Sequence, residues 1–136
     1  MNLKKFLTLV TVISLLFPVQ FLLGMAVNLF IKIPKPVVIA FFTSGGGSVL
    51  DLHIINGTVI LTLAITIIVL AHRMKSRLPF KLSILAITFI VLSIASGIVF
   101  LFFGQKDVFS YTMSVGMAAG VVTYSFVGKT AMQANK

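Results

Sequence analysis

The feature that most constrains this chain is a run of eighteen residues without a formal charge, Ile54 to Ala71, held between His53 and His72. At about 1.5 Å per residue such a helix crosses a hydrocarbon core of about 30 Å. Asp51 precedes the run as the expected N-cap, its carboxylate set against the orphan N–H groups of a first turn. Arg73, Lys75, Arg77 and Lys81 follow it, so the two ends differ in sign. A soluble helix does not need so long an apolar stretch, and three further stretches of the chain read the same way.

Those spans are expected at about 6–31, 52–71, 82–103 and 108–128, joined by an outer loop at 32–51. The chain is then an all-α, polytopic integral membrane protein, a four-transmembrane-helix bundle in one membrane domain covering residues 1–136. Composition agrees: 59% of residues are hydrophobic, 10% are charged, and the mean hydropathy is +1.17. A soluble domain carries about a quarter charged residues. The lipid bilayer is thus the first partner, and nucleic acid is not expected despite the net charge of +9. The basic residues sit in short loops beside apolar spans, where orientation and anionic headgroups account for them. The chain has no Cys, which excludes disulfides and thiolate chemistry.

The first apolar run, Phe6 to Ile31, follows a basic start, and Gly24-Met25-Ala26 offers small residues for a signal-peptidase cut. At 26 residues it exceeds the 7–15 of a signal-peptide core, so a retained helix is expected. Pro18 in its middle is expected to kink it. Gln20, Gly24 and Asn28 recur at spacings of four and are expected to point into the bundle, because amides facing lipid go unsatisfied. Pro34 and Pro36 end the first helix, Val37 to Phe42 is too short to span, and Ser44–Ser48 is a flexible joint. Pro79 is expected in the tight basic turn between spans two and three.

Orientation follows from counting. With four spans both termini share a side with the turn at 73–81. That side holds eight cations (Lys4, Lys5, Arg73, Lys75, Arg77, Lys81, Lys129 and Lys136) against three opposite (Lys32, Lys35 and Lys106). The positive-inside rule places both termini in the cytoplasm of a multi-pass cell-membrane protein.

Small residues mark the packing faces: Ser93 and Gly97 in span three, Gly116 and Gly120 in span four. Thr58, Thr62 and Thr66 can bond to carbonyls within or across helices. No Asp or Glu lies inside a span, which weighs against a proton-coupled carrier or carboxylate metal site. No catalytic triad, phosphate loop or HExxH spacing is present. A small pore or carrier built on Gln20 and Asn28 is disfavoured for the same lack of charge.

His53, with Asn56 and Gly57 on its side of the helix, is the best candidate ligand; a neutral imidazole can hold haem iron and a glycine lets a flat macrocycle approach the backbone. His72 adjoins Arg73 and reads as a headgroup anchor. The two histidines lie about 28 Å apart along a straight helix and cannot share one iron. Met113 and Met117 on span four, followed by Gly120 and Tyr124, could supply the other axial ligand. A second helix that opens with His and has Gly one turn on resembles one four-helix half of the haem A synthase family, and small membrane cytochromes b. In that family paired histidines on helices two and four hold haem, and the resemblance implies the helix-two role for His53. Val108 to Gly128 has no His, so the second ligand histidine is missing. Two functions are therefore expected in order: a small non-enzymatic membrane protein working through helix packing, as a homo-oligomer or complex subunit, and a haem-b-binding electron carrier.

Overall fold

The computed structural model describes residues 3–30, 47–74, 76–103 and 106–134, and the regular structure among them is helical. The helices are α1 (Leu3–Phe30), α2 (Gly47–His72), α3 (Arg77–Phe103) and α4 (Asp107–Gln133). Of the outer loop expected at 32–51, residues up to 46 lie outside the described residues, while Gly47 and Ser48, expected in a flexible joint, are the first two residues of α2, whose backbone bonding extends the helix through Asp51.

Each helix runs past the edge of its charge-free stretch, and this changes the roles of several residues. α2 begins at Gly47, so Asp51 stands in the second turn and is not its N-cap. Asp107 is the first residue of α4, where its charge suits the positive end of the helix dipole without side-chain capping. Pro79 is inside α3, not in the turn: Ser76 Oγ accepts from the Leu78 N–H at 3.4 Å, and the proline occupies a first-turn position whose N–H has no helical acceptor. α1 continues through Pro18.

Packing follows a repeat of alternating three- and four-residue steps. α1 buries Phe6, Val10, Ile13, Phe17, Gln20 and Val27. α2 buries Leu50, Ile60, Ala64, Ile67 and Ala71, with His53 and Gly57 half-buried in the same seam. α3 buries Pro79, Ser83, Ala86, Ile90, Ser93 and Phe100, and α4 continues the pattern through Gly116, Gly120, Thr123 and Val127. A repeat of about 3.5 residues keeps one stripe facing inward when helices cross at about 20° in a left-handed bundle.

The helices form a ring in chain order: α1 touches α2 and α4, α3 touches α2 and α4, and the other pairs lie diagonally. Neighbours are antiparallel. Phe17 of α1 meets Gly120 of α4, and Val10 meets Gly128 further toward the termini. α3 and α4 pack tightly at Gly116, where a Cβ would collide with Ser93 Oγ and lie 3.1 Å from the Phe89 carbonyl oxygen. Ser93 Oγ shares its proton between the Phe89 carbonyl of its own helix at 3.0 Å and the Met113 carbonyl of α4 at 3.2 Å. The small residues Ser93 and Gly97 of α3 and Gly116 and Gly120 of α4 are thus used in packing within the chain.

Two apolar clusters fill the interior. The larger joins Phe6, Ile13 and Phe17 to Ile60, Ile67, Ile90, Tyr124 and Val127; the smaller, toward the opposite end, joins Val27, Leu50 and Phe100. The outside is apolar too, with Leu15, Leu22, Ile55, Ile65, Val91, Ile98, Val122 and Phe126 all exposed. An apolar belt on every helix is a surface for lipid or other helices, since water would penalise it. The hydroxyls on that surface are satisfied locally: Thr58, Thr62 and Thr66 each donate to the carbonyl four residues back, at 2.9 Å.

α1, α2 and α3 are long and apolar enough to cross a membrane, with mean hydropathies of 2.3, 2.5 and 2.7 in their most apolar windows. α4 is as long as α3 but more polar, carrying Ser110, Tyr111, Thr112, Ser114, Thr123, Tyr124 and Ser125. Among the described residues Lys4, Lys5, Arg73, Arg77, Lys81 and Lys129 lie at one end of the bundle, and Asp51, Lys106 and Asp107 at the other.

Candidate functional site

Between the two apolar clusters lies a polar layer shared by α1 and α2. The heptad step that buries Phe17 next presents Gln20, which is only 5% exposed. A carboxamide there must find partners, because a buried amide without them is costly. Asn56 Nδ2 donates to Gln20 Oε1 at 2.9 Å and to the Leu16 carbonyl at 3.2 Å. On its other side Gln20 Nε2 lies 3.3 Å from His53 Nε2, which accepts from it when the ring proton sits on Nδ1. His53 Nδ1 is buried and has no hydrogen-bond partner.

Two glycines make room for this layer. A Cβ at Gly24 would lie 3.0 Å from His53 Cε1, and one at Gly57 would lie 3.1 Å from Gln20 Nε2. The backbone of each helix therefore comes close to a polar side chain of the other. Any larger residue at either position has to displace the imidazole or the amide.

Gln20, His53 and Asn56 are brought together. Asn28 is not: it is exposed near the end of α1, while Val27 takes the inward position. Two steps of four residues rotate a side chain by about 80° around a helix of 3.6 residues per turn, which carries Asn28 off the seam. Met113 and Met117 stand on α4, diagonal to α2. Met117 packs on the larger apolar cluster, and Met113 Sδ would lie 3.2 Å from a Cβ at Gly97 of α3. The space beside Gly57 is filled by the Gln20 amide and His53 Nε2 is engaged by that amide, so this arrangement does not fit a haem. His72 is exposed at the end of α2, its ring 5.0 Å from that of Phe80 across the turn to α3.

Sequence reasoning missed the role of Tyr124. It is fully buried, its ring centroid 5.9 Å from that of Phe17, and its hydroxyl has no hydrogen-bond partner. The signal was the step from Gly120 to Tyr124, which keeps the phenol on the same face as the glycine that admits Phe17.

Among the described residues no three His, Asp or Glu side chains come together as a metal site. Comparison with protein-family models, curated proteins and solved structures finds no match. The layer is a set of hydrogen-bonding groups, two carboxamides and one imidazole. What it can do is fix how two helices meet.

Proposed function

We propose that this chain is a four-span integral membrane protein of the cell membrane, non-enzymatic, with both termini in the cytoplasm, working by packing against partner helices. The observation that carries this reading is the division of its side chains: the buried amides bond to one another, and every helix carries exposed apolar side chains on its outside. A proton-coupled carrier or carboxylate metal site built on Asp or Glu needs those acids at depth. Here both acids are near one end of the bundle.

α4 is read as the fourth span because four of its hydroxyls are answered within the helix. Thr112, Ser114, Thr123 and Ser125 each donate to the carbonyl four residues back, leaving Val115, Val122 and Phe126 to face outward. Hydroxyls bonded in this way are tolerated in lipid. The eight-to-three distribution of cations supports the orientation. A shallow hollow between α3 and α4, where Ala118 and Ala119 lie among Leu85, Phe89 and Val122, suits an apolar side chain from a neighbouring helix.

The test is extraction of the natively expressed protein in membrane nanodiscs without detergent, followed by counting chains per particle and recording the visible spectrum. Particles that hold this chain with a second copy or a second membrane protein, and no absorbance in the Soret region, are expected. Particles that hold one chain alone contradict the partner-packing role. A Soret band removed by His53→Ala would replace it with the haem-carrier reading.

A further inference from the structure

We infer that the groove between α1 and α4 binds an anionic phospholipid, with an acyl chain along the groove and the phosphate at Lys129. The two helices pack closely where Gly128 faces Val10, a Cβ there being 3.4 Å from Val10 Cγ1. Thr11, Ser14 and Ser125 near that contact are short, and a furrow opens beside it. Leu7, Thr11 and Leu15 of α1 and Ser125, Lys129 and Met132 of α4 line it. Its volume is about 440 Å³, within the about 300–1,000 Å³ of small-ligand sites.

The chemistry along the furrow changes from one end to the other. Ser14 Oγ donates to the Val10 carbonyl at 2.8 Å and Ser125 Oγ to the Val121 carbonyl at 3.1 Å. With their protons held inside their own helices, these hydroxyls present a wall that hydrocarbon can follow. Toward the termini the groove reaches Lys129, an exposed residue and the one charged side chain lining it. A lysine stem lies along apolar surface while its ammonium reaches the headgroup level. Lys4 and Lys5 stand on the first turns of α1 at the same end, and among the described residues no carboxylate does. An apolar furrow with a cationic mouth complements one long apolar tail and one anionic headgroup. The hollow between α3 and α4 has no charged residue in its lining and so selects no headgroup. The inference rests on α1 and α4 crossing the membrane, which cysteine labelling of the connecting segments tests separately, and does not depend on a protein partner.

The full chain is reconstituted in phosphatidylcholine nanodiscs, and the motionally restricted fraction of spin-labelled phosphatidylglycerol is compared with that of spin-labelled phosphatidylcholine. The wild type should prefer phosphatidylglycerol by about fivefold, the worth of one cation at an anionic surface. Lys129→Gln should bring that preference close to unity. Ser125→Trp, which fills the groove from an exposed wall position, should lower the restricted fraction of both lipids. Lys81→Gln, an exposed cation of α3 outside the groove, should keep the wild-type preference. No preference in the wild type, or an equal loss in Lys81→Gln, would overturn the site. So would inorganic phosphate that removes the preference where chloride of equal ionic strength does not, because the anion alone would then be the ligand.

Discussion

Asn56 of α2 donates to Gln20 of α1 at 2.9 Å, and the same amide group reaches the backbone of α1 at Leu16. Two bonds to points four residues apart fix the register of the helices. Sliding α2 by one turn would break both and leave the Gln20 carboxamide among apolar side chains. A single polar position in an apolar seam is a known way to specify how helices align.

Replacing Gln20 by Leu should therefore destabilise the bundle. It removes the acceptor of Asn56 and the neighbour of His53 together, and unmade buried bonds cost about 1–3 kcal/mol. Interhelical bonds in membranes average about 0.6 kcal/mol, which puts the expected loss at the low end. Denaturation in mixed micelles would measure it. The double variant Gln20→Leu, Asn56→Leu should lose less than the sum of the two singles, since each deletes the same bond. Asn28→Leu should change stability by less than about 0.5 kcal/mol, as an exposed position does.

Gly116→Ala should be the most damaging of the glycine substitutions on α4. Its Cβ meets Ser93 Oγ and the Phe89 carbonyl, and the second of these is backbone that cannot turn aside. Overpacking of that kind costs about 1–3 kcal/mol. Adding Ser93→Ala should restore part of the loss by removing the hydroxyl. Thermal unfolding of the single and double variants decides this: an Ala at 116 that is silent, or a pair that is strictly additive, contradicts the packing described.

How much of this was legible in the sequence depends on which force set each feature. The three apolar spans could be read because charge is excluded from hydrocarbon over a fixed thickness, and Gln20 pointed inward because lipid offers an amide nothing. Helix ends were less legible. Backbone bonds let α2 start before Asp51 and α3 before Pro79, where side-chain patterns alone suggested caps and turns. Asn28 was misplaced because a step of exactly four was followed where the bundle uses alternating threes and fours; the series Phe6, Val10, Ile13, Phe17, Gln20, Val27 carried the right period all along. The meeting of Ser93 with Gly116, and of Phe17 with Gly120, needed the pairing of helices, which no single-helix pattern contains.

Tyr124→Phe should leave stability unchanged or raise it by up to about 1–2 kcal/mol. The phenol is wholly buried and its hydroxyl has no partner, so deleting the oxygen removes a desolvated group and keeps the ring contact with Phe17. Equilibrium unfolding of the variant is the check. A loss of more than about 1 kcal/mol would mean that the hydroxyl has a bonded neighbour, such as a buried water.

The central claim is that all four helices cross the membrane, and the absence of cysteine from the chain makes it directly measurable. Single cysteines placed at residues 45, 75, 105 and 136 can be labelled in intact cells with a membrane-impermeant maleimide, before and after permeabilisation. Residues 45 and 105 should react in intact cells, and residues 75 and 136 only after permeabilisation. If residues 105 and 136 react under the same condition, α4 does not cross and the four-span account is wrong.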